Sequence, residues 1–148
     1  MSDIRGNIIL LLHRRFKKAG IKEYNYFIAD ITSEEFTPGE PSFDVIICDA
    51  PCSGSGTWSR TPEQLCFFKQ ASIKEYSNLQ RKIVTSAMPR LRKGGLFIYI
   101  TCSVFKLENE AIASFVAEKF NCELLSLQML KGYDKKADSM FVAIFRKL

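Results

Sequence analysis

The chain has 148 residues, 47% of them hydrophobic and 25% charged, with a formal net charge of +5. That is the size and composition of one ordinary soluble domain, which excludes a disordered tail, a collagen-like rod and a low-complexity linker. No apolar run approaches the ~20 residues that cross a bilayer, and the first residues lack the basic-then-apolar order of a secretion signal, so a cytoplasmic protein with no membrane partner is expected.

In chain order, Ile8, Leu11, Leu12, Phe16 and Ala19 recur at helical spacing, and Gly20 supplies the stop. Residues 26–29 read as a strand, followed by a loop holding Pro38, Gly39 and Pro41. Residues 43–48 are apolar except for Asp44, which suits a strand buried on both faces. Residues 51–62 are a loop of small and polar residues. A helix is expected over 73–91, with Tyr76, Leu79, Ile83, Ala87 and Leu91 on one side and Pro89 closing it. Gly94 and Gly95 turn the chain into a second buried strand, 96–100. Residues 108–119 are helical, with acids in the first turn and Ile112, Phe115 and Val116 facing inward. Residues 123–129 and 140–145 are expected to form an antiparallel pair. This alternation is that of an α/β fold, and residues 1–148 are taken as part of a single domain. It opens on a helix, without the strand and glycine-rich turn that begin a complete doubly wound fold.

Charge is unevenly spread. From Glu23 to Ser59 there is no Lys or Arg, yet seven acids fall there, including Asp30, Asp44 and Asp49. Basic clusters flank the zone: Arg14, Arg15, Lys17, Lys18 and Lys22 before it, Arg81, Lys82, Arg90, Arg92 and Lys93 after it. Such a layout can hold a cationic ligand beside an anionic polymer, and solvated helix faces explain the basic clusters equally well.

Five cysteines are an odd count with no sign of export, so no disulfide framework is expected. No metal is expected either, because there is no C-x-x-C and His13 is the only histidine. Cys48, Cys66 and Cys122 read as small buried hydrophobes. Cys52 and Cys102 differ. The run Asp49-Ala-Pro-Cys-Ser-Gly-Ser-Gly-Thr57 follows the first buried strand, and Thr101-Cys-Ser103 follows the second. Ligands of open parallel sheets bind outside the carboxyl ends of the strands. A right-handed crossover makes these two strands neighbours, about 4.8 Å apart. Cys52, Cys102 and Asp49 therefore face one crevice. A dinucleotide fingerprint fails because Ser59 stands at the third glycine, and no G-x-S-x-G marks a hydrolase. Spacing leaves open which thiol attacks.

These two motifs, with Glu108-Asn109-Glu110 after the second, resemble signatures of the RNA cytosine-C5 methyltransferases of the NOL/NOP/Sun (Fmu) family. The likeness continues at Arg60-Thr61-Pro62-Glu63, Gln80, Gly94-Gly95 and 138–143, so it spans essentially the whole chain. Ser139 and Met140 stand where the family has Gly-Phe. Trp58-Ser59 replaces a more basic pair, a change expected to weaken one RNA contact. The resemblance implies a Rossmann-like S-adenosylmethionine-dependent methyltransferase fold, truncated, with the first strand, first helix and second strand missing. It implies Cys102 as the nucleophile, Cys52 as the group that helps remove the carbon-5 proton and release product, and Asp49 as the partner of the cytosine edge. Asp3, Asp30 and Asp49 would bind the cofactor, and Pro51 and Arg60 the substrate. The expected partner is RNA, ribosomal rather than transfer. A DNA cytosine-C5 methyltransferase with Cys52 as nucleophile and a non-catalytic RNA-binding module are the alternatives. The missing strands would leave open sheet edges. Either a homodimer forms through them, or residues 26–29 repack against 43–48, and the 148 residues alone are expected to be inactive.

Overall fold

A computed structural model describes residues 1–33 and 43–148. They fall into two compact units, one within Met1–Thr37 and the other within Pro38–Leu148. The loop expected around Pro38, Gly39 and Pro41 lies outside the described residues.

The first unit contains strand β1 (Ser2–Asp3), helix α1 (Gly6–Lys18) and strand β2 (Phe27–Ile28). β1 and β2 are parallel, with Asp3 opposite Ile28. The sequence places Asp3 at the end of an absent strand, and its last two residues are in fact present as β1. Arg15, Lys17 and Lys18 sit in the last turn of α1, where cations favour the helix dipole. His13 is a packing residue here: its Nδ1 lies 2.6 Å from the Tyr24 hydroxyl, and its ring meets Tyr26 edge-on at 4.4 Å.

The second unit is a four-stranded sheet in the order β3-β4-β6-β5. Its strands are β3 (Phe43–Asp49), β4 (Leu91–Thr101), β5 (Cys122–Leu130) and β6 (Met140–Lys147). β3 and β4 run parallel, while β6 is antiparallel to both β4 and β5. Helix α2 (Gln70–Ala87) links β3 to β4, and helix α3 (Glu110–Phe120) links β4 to β5. β2 pairs with β1 and β3 with β4, so among the described residues the expected repacking of 26–29 against 43–48 does not occur.

Alternation in the strands builds the core. Phe97, Tyr99, Phe141, Ala143 and Phe145 point to one face and are fully buried with Val84 and Met88 from the α2 side and Ile112 and Val116 of α3. The opposite face carries Val45 and Ile47, 48% and 66% exposed. Burial on both faces, expected for 43–48, is therefore met on one face only, where Ile46 and Cys48 pack on the core. The helix expected over 73–91 starts three residues earlier and gives way after Ala87 to a 3-10 turn, Met88–Arg90, that accommodates Pro89. Lys147 caps this end, its Nζ donating to the carbonyls of Met88 and Leu91 at 3.2 and 2.8 Å. The glycine pair is absorbed inside β4 rather than preceding it: Gly94 has φ +79°, and the register jumps from Phe43–Leu91 to Val45–Leu96. Among the described residues no helix is long and apolar enough to cross a membrane.

The two faces make a direct contrast. Phe97→Ala should destabilise by about 3–5 kcal/mol, whereas Ile47→Ala should change stability by no more than about 0.5 kcal/mol. Urea denaturation of the two variants beside the native protein checks both.

Candidate active site

The loops after β3 and β4 meet at the carboxyl ends of these parallel strands. Their two cysteines do come together: Cys52 Sγ lies 3.2 Å from Cys102 Sγ, both free and half-buried. Two thiols so close share a proton unequally. The Cys102 thiol is lowered to about 7, chiefly through its hydrogen bond with Cys52, against the opposing effects of burial and the nearby carboxylates Asp49 and Asp138. Cys52 is pushed far up, because it keeps its proton in that hydrogen bond and is partly buried. Cys48 and Cys122 are buried, as expected, and burial pushes the Cys48 thiol up to about 12. Cys66 is exposed, against expectation, because it ends a surface 3-10 segment, Pro62–Cys66, that packs into no core.

What holds the thiols at this distance is a polar network beneath them. Glu108, wholly buried, accepts hydrogen bonds from the Ser53 N–H at 2.8 Å and the Ser53 hydroxyl at 2.7 Å. The Ser103 hydroxyl donates to the same carboxylate. Each serine follows one of the cysteines, so a single side chain ties both loops. Asn109, also buried, accepts from the Thr101 hydroxyl at 2.6 Å and donates to the Ser103 carbonyl at 2.8 Å. The Tyr99 hydroxyl anchors the Glu108 backbone carbonyl at 2.7 Å. The sequence reads Glu108 as an acid in the first turn of the helix. The helix begins later, at Glu110, and Glu108 turns inward instead.

Gly56 closes the far side. Its N–H donates to the Cys102 carbonyl at 2.8 Å, and its carbonyl accepts from the Ser139 N–H at 2.9 Å. A Cβ there would stand 2.1 Å from the Ser139 carbonyl oxygen and 2.9 Å from that of Cys102. Only glycine fits.

Pro51 is exposed, and its carbonyl accepts from Gln80 Nε2 at 2.9 Å. Gln80 is completely buried, and with Ser77 and Val84 it forms the buried stripe of α2. That stripe sits one residue round from the Tyr76–Leu79–Ile83 side expected from hydrophobicity, because the loop carbonyl needs a donor in the interior. Asp49, at the end of β3, is exposed. Arg60 makes a two-point ion pair with Asp138, at 3.0 and 2.8 Å, joining the loop after β3 to that between β5 and β6. The guanidinium holds the Asp138 carboxyl below its usual range. In the first unit, Asp3 and Asp30 lie at the carboxyl ends of the adjacent parallel strands β1 and β2. Arg5 engages both oxygens of Asp3 at 3.1 Å, and Asp30 accepts from the Thr32 N–H at 2.8 Å, the turn role its residue type suggests.

The family model described as 16S rRNA methyltransferase RsmB/F matches residues 3–145. The ribosomal RNA small subunit methyltransferase F of Psychromonas ingrahamii is 35% identical over 139 residues, covering 91% of this chain and 28% of that protein. Its namesake in Escherichia fergusonii is 31% identical over 152 residues, covering 99% and 31%. The chain thus spans less than a third of the length of these curated relatives. Among solved structures, PH0851 superposes with a TM-score of 0.88 at 28% identity, over 99% of this chain and 36% of that one. NSun6 from Pyrococcus horikoshii with SFG superposes with a TM-score of 0.83 at 22% identity, over 99% and 40%, a likeness of fold.

Two measurements test this geometry. Alkylation of Cys102, followed by peptide mapping, should rise with pH as the thiolate forms, with a midpoint of about 7. Cys52→Ala, by removing the largest lowering influence, should move that midpoint upward. Gly56→Ala should lower stability by about 3 kcal/mol in urea denaturation, since both obstructing atoms are backbone.

Proposed function

Because the chain belongs to the 16S rRNA methyltransferase RsmB/F family, we propose that these residues carry the cysteine site of an S-adenosylmethionine-dependent rRNA cytosine-C5 methyltransferase. The observation that carries this reading is the pair of thiols, 3.2 Å apart at the carboxyl ends of adjacent parallel strands, with one of them acidified. Carbon-5 of cytosine is a poor nucleophile, and such a pair answers that problem. The Cys102 thiolate adds to carbon-6, and the electrons of the broken carbon-5–carbon-6 π bond make carbon-5 nucleophilic. Asp49 takes the amino and ring-nitrogen edge of the base and favours its protonation as the adduct forms. S-adenosylmethionine supplies the electrophilic methyl group. With Cys102 bound to carbon-6 the Cys52 thiol no longer has a thiolate to hold its proton; it passes that proton to solvent, its thiolate helps to take the carbon-5 proton, and the carbon-6–sulfur bond breaks to return the Cys102 thiolate. Pro51, tethered by Gln80, stiffens the loop that carries Asp49 and Cys52, and Arg60 serves the RNA side.

The acidic strand ends suit the cofactor. Asp3 and Asp30 stand side by side at the ends of β1 and β2, where carboxylates can take ribose hydroxyls and the adenine edge. Asp49, at the end of β3, is assigned to the cofactor on the family resemblance alone. The glycine-rich turn expected of the complete fold is not among these 148 residues. Alone, they should therefore bind S-adenosylmethionine weakly and turn over feebly.

A DNA-type mechanism with Cys52 as nucleophile is disfavoured, because the family and the curated relatives are rRNA methyltransferases. The test uses the protein in its full natural length, incubated with S-adenosylmethionine and cytosine-containing RNA and resolved on denaturing gels. Cys52→Ala should accumulate a covalent protein–RNA adduct, and Cys102→Ala should form none. The reverse pattern would move the nucleophile to Cys52, and no adduct in either would leave a binding module.

A further inference from the structure

Trp58 stands where a basic residue was expected, and its surroundings give it a different use. Its ring meets Phe68 edge-on at 4.9 Å and Phe105 at 6.1 Å, while Phe68 and Phe105 stack at 5.6 Å with 13° between their planes. Phe68 belongs to the segment after β3 and Phe105 to the loop after β4, so the cluster bridges the two loops that carry the cysteines. Beside it opens a cleft of about 190 Å³ lined by Phe67, Phe68, Tyr76, Lys69, Ser72 and Ser53, among others. Ser53 directly follows Cys52, so the cleft adjoins the thiol site. Phe67 is 75% exposed, a large ring that the core does not need. No carboxylate lines the cleft, and Lys69 brings a positive charge.

We propose that this cleft binds an unpaired nucleobase next to the target cytosine, stacked on Phe67 beside the Trp58–Phe68–Phe105 cluster, with Lys69 facing the backbone phosphate. The inference rests on the RNA methyltransferase reading and deepens it. Aromatic faces with a neighbouring cation are what single-stranded RNA seeks, since every base has a π face and every linkage a negative charge. An apolar peptide could use the rings but would gain nothing from Lys69. Stacking is also screened far less by ionic strength than an ionic contact is.

Trp58 is the sole tryptophan of these 148 residues, and in the longer protein its emission is read as the difference between native and Trp58→Phe protein, which reports occupancy without any turnover. The protein in its full natural length is titrated with a short single-stranded oligoribonucleotide containing one cytosine, and with versions carrying an abasic residue on either side of it. Binding should quench or shift the Trp58 emission. Phe67→Ala should weaken binding about tenfold, the loss of one base–aromatic stack. Phe67→Tyr should keep native affinity, and an abasic residue on one side should cost the native protein as much as Phe67→Ala does while costing that variant nothing further. Native affinity in Phe67→Ala, an unchanged Trp58 signal, or indifference to both abasic positions would overturn the proposal, even with methyl transfer intact. Loss of the broader reading looks different: no methyl transfer to any cytosine RNA, whatever Phe67 does to binding.

Discussion

The site depends on a carboxylate buried between two loops. Glu108 has no exposed surface, and a carboxylate taken out of water costs several kcal/mol unless donors replace the water. Here the donors are Ser53, through its N–H and hydroxyl, and the hydroxyl of Ser103. These residues follow Cys52 and Cys102 in the chain, so satisfying one acid also sets the spacing of two thiols. Breaking the arrangement on either side leaves a buried carboxyl oxygen without its partner. That asymmetry makes the network a positional constraint rather than a simple source of stability.

Around that centre, backbone contacts complete the frame. Gly56 fits between the carbonyls of Cys102 and Ser139, and Gln80 reaches from α2 to hold the Pro51 carbonyl. Arg60 and Asp138 close the solvent side. The chemistry follows from the frame. At 3.2 Å the two thiols form one hydrogen-bonded pair, in which the Cys102 thiol is lowered and the Cys52 thiol raised. A rigid rim is also what an aromatic cleft needs if it is to present its faces to a base instead of collapsing on itself.

Much of this was legible residue by residue. The apolar runs at 43–48 and 96–100, the helical spacing of Ile112 and Val116, and the paired runs near the C-terminus all correspond to observed elements. The approach of Cys52 to Cys102 followed from one rule, that neighbouring parallel strands deliver their trailing loops to one place. Hydrophobic side chains mislead at α2, where Gln80 rather than Leu79 lies in the buried stripe, and at Cys66, where a residue type usually buried is exposed. At 108–110 the acidic run looks like an ordinary helix start. Two serines placed after two cysteines were the available signal that something must receive their hydroxyls.

The sequence by itself determined the α/β alternation, the parallel pairing that gathers the cysteine motifs, and the family to which those motifs point. The first two rest on periodicity and on order along the chain, which are local or nearly so, and the family rests on the resemblance of the motifs. Only the tertiary structure decided that Glu108 turns inward, that Gln80 is buried, that Cys52 and Cys102 lie within hydrogen-bond distance, and that Trp58 joins Phe68 and Phe105. Each depends on partners distant in sequence. Whether a polar group is buried, or a proton is held, is settled by which donors and rings arrive beside it, and that information lies in no single stretch of chain.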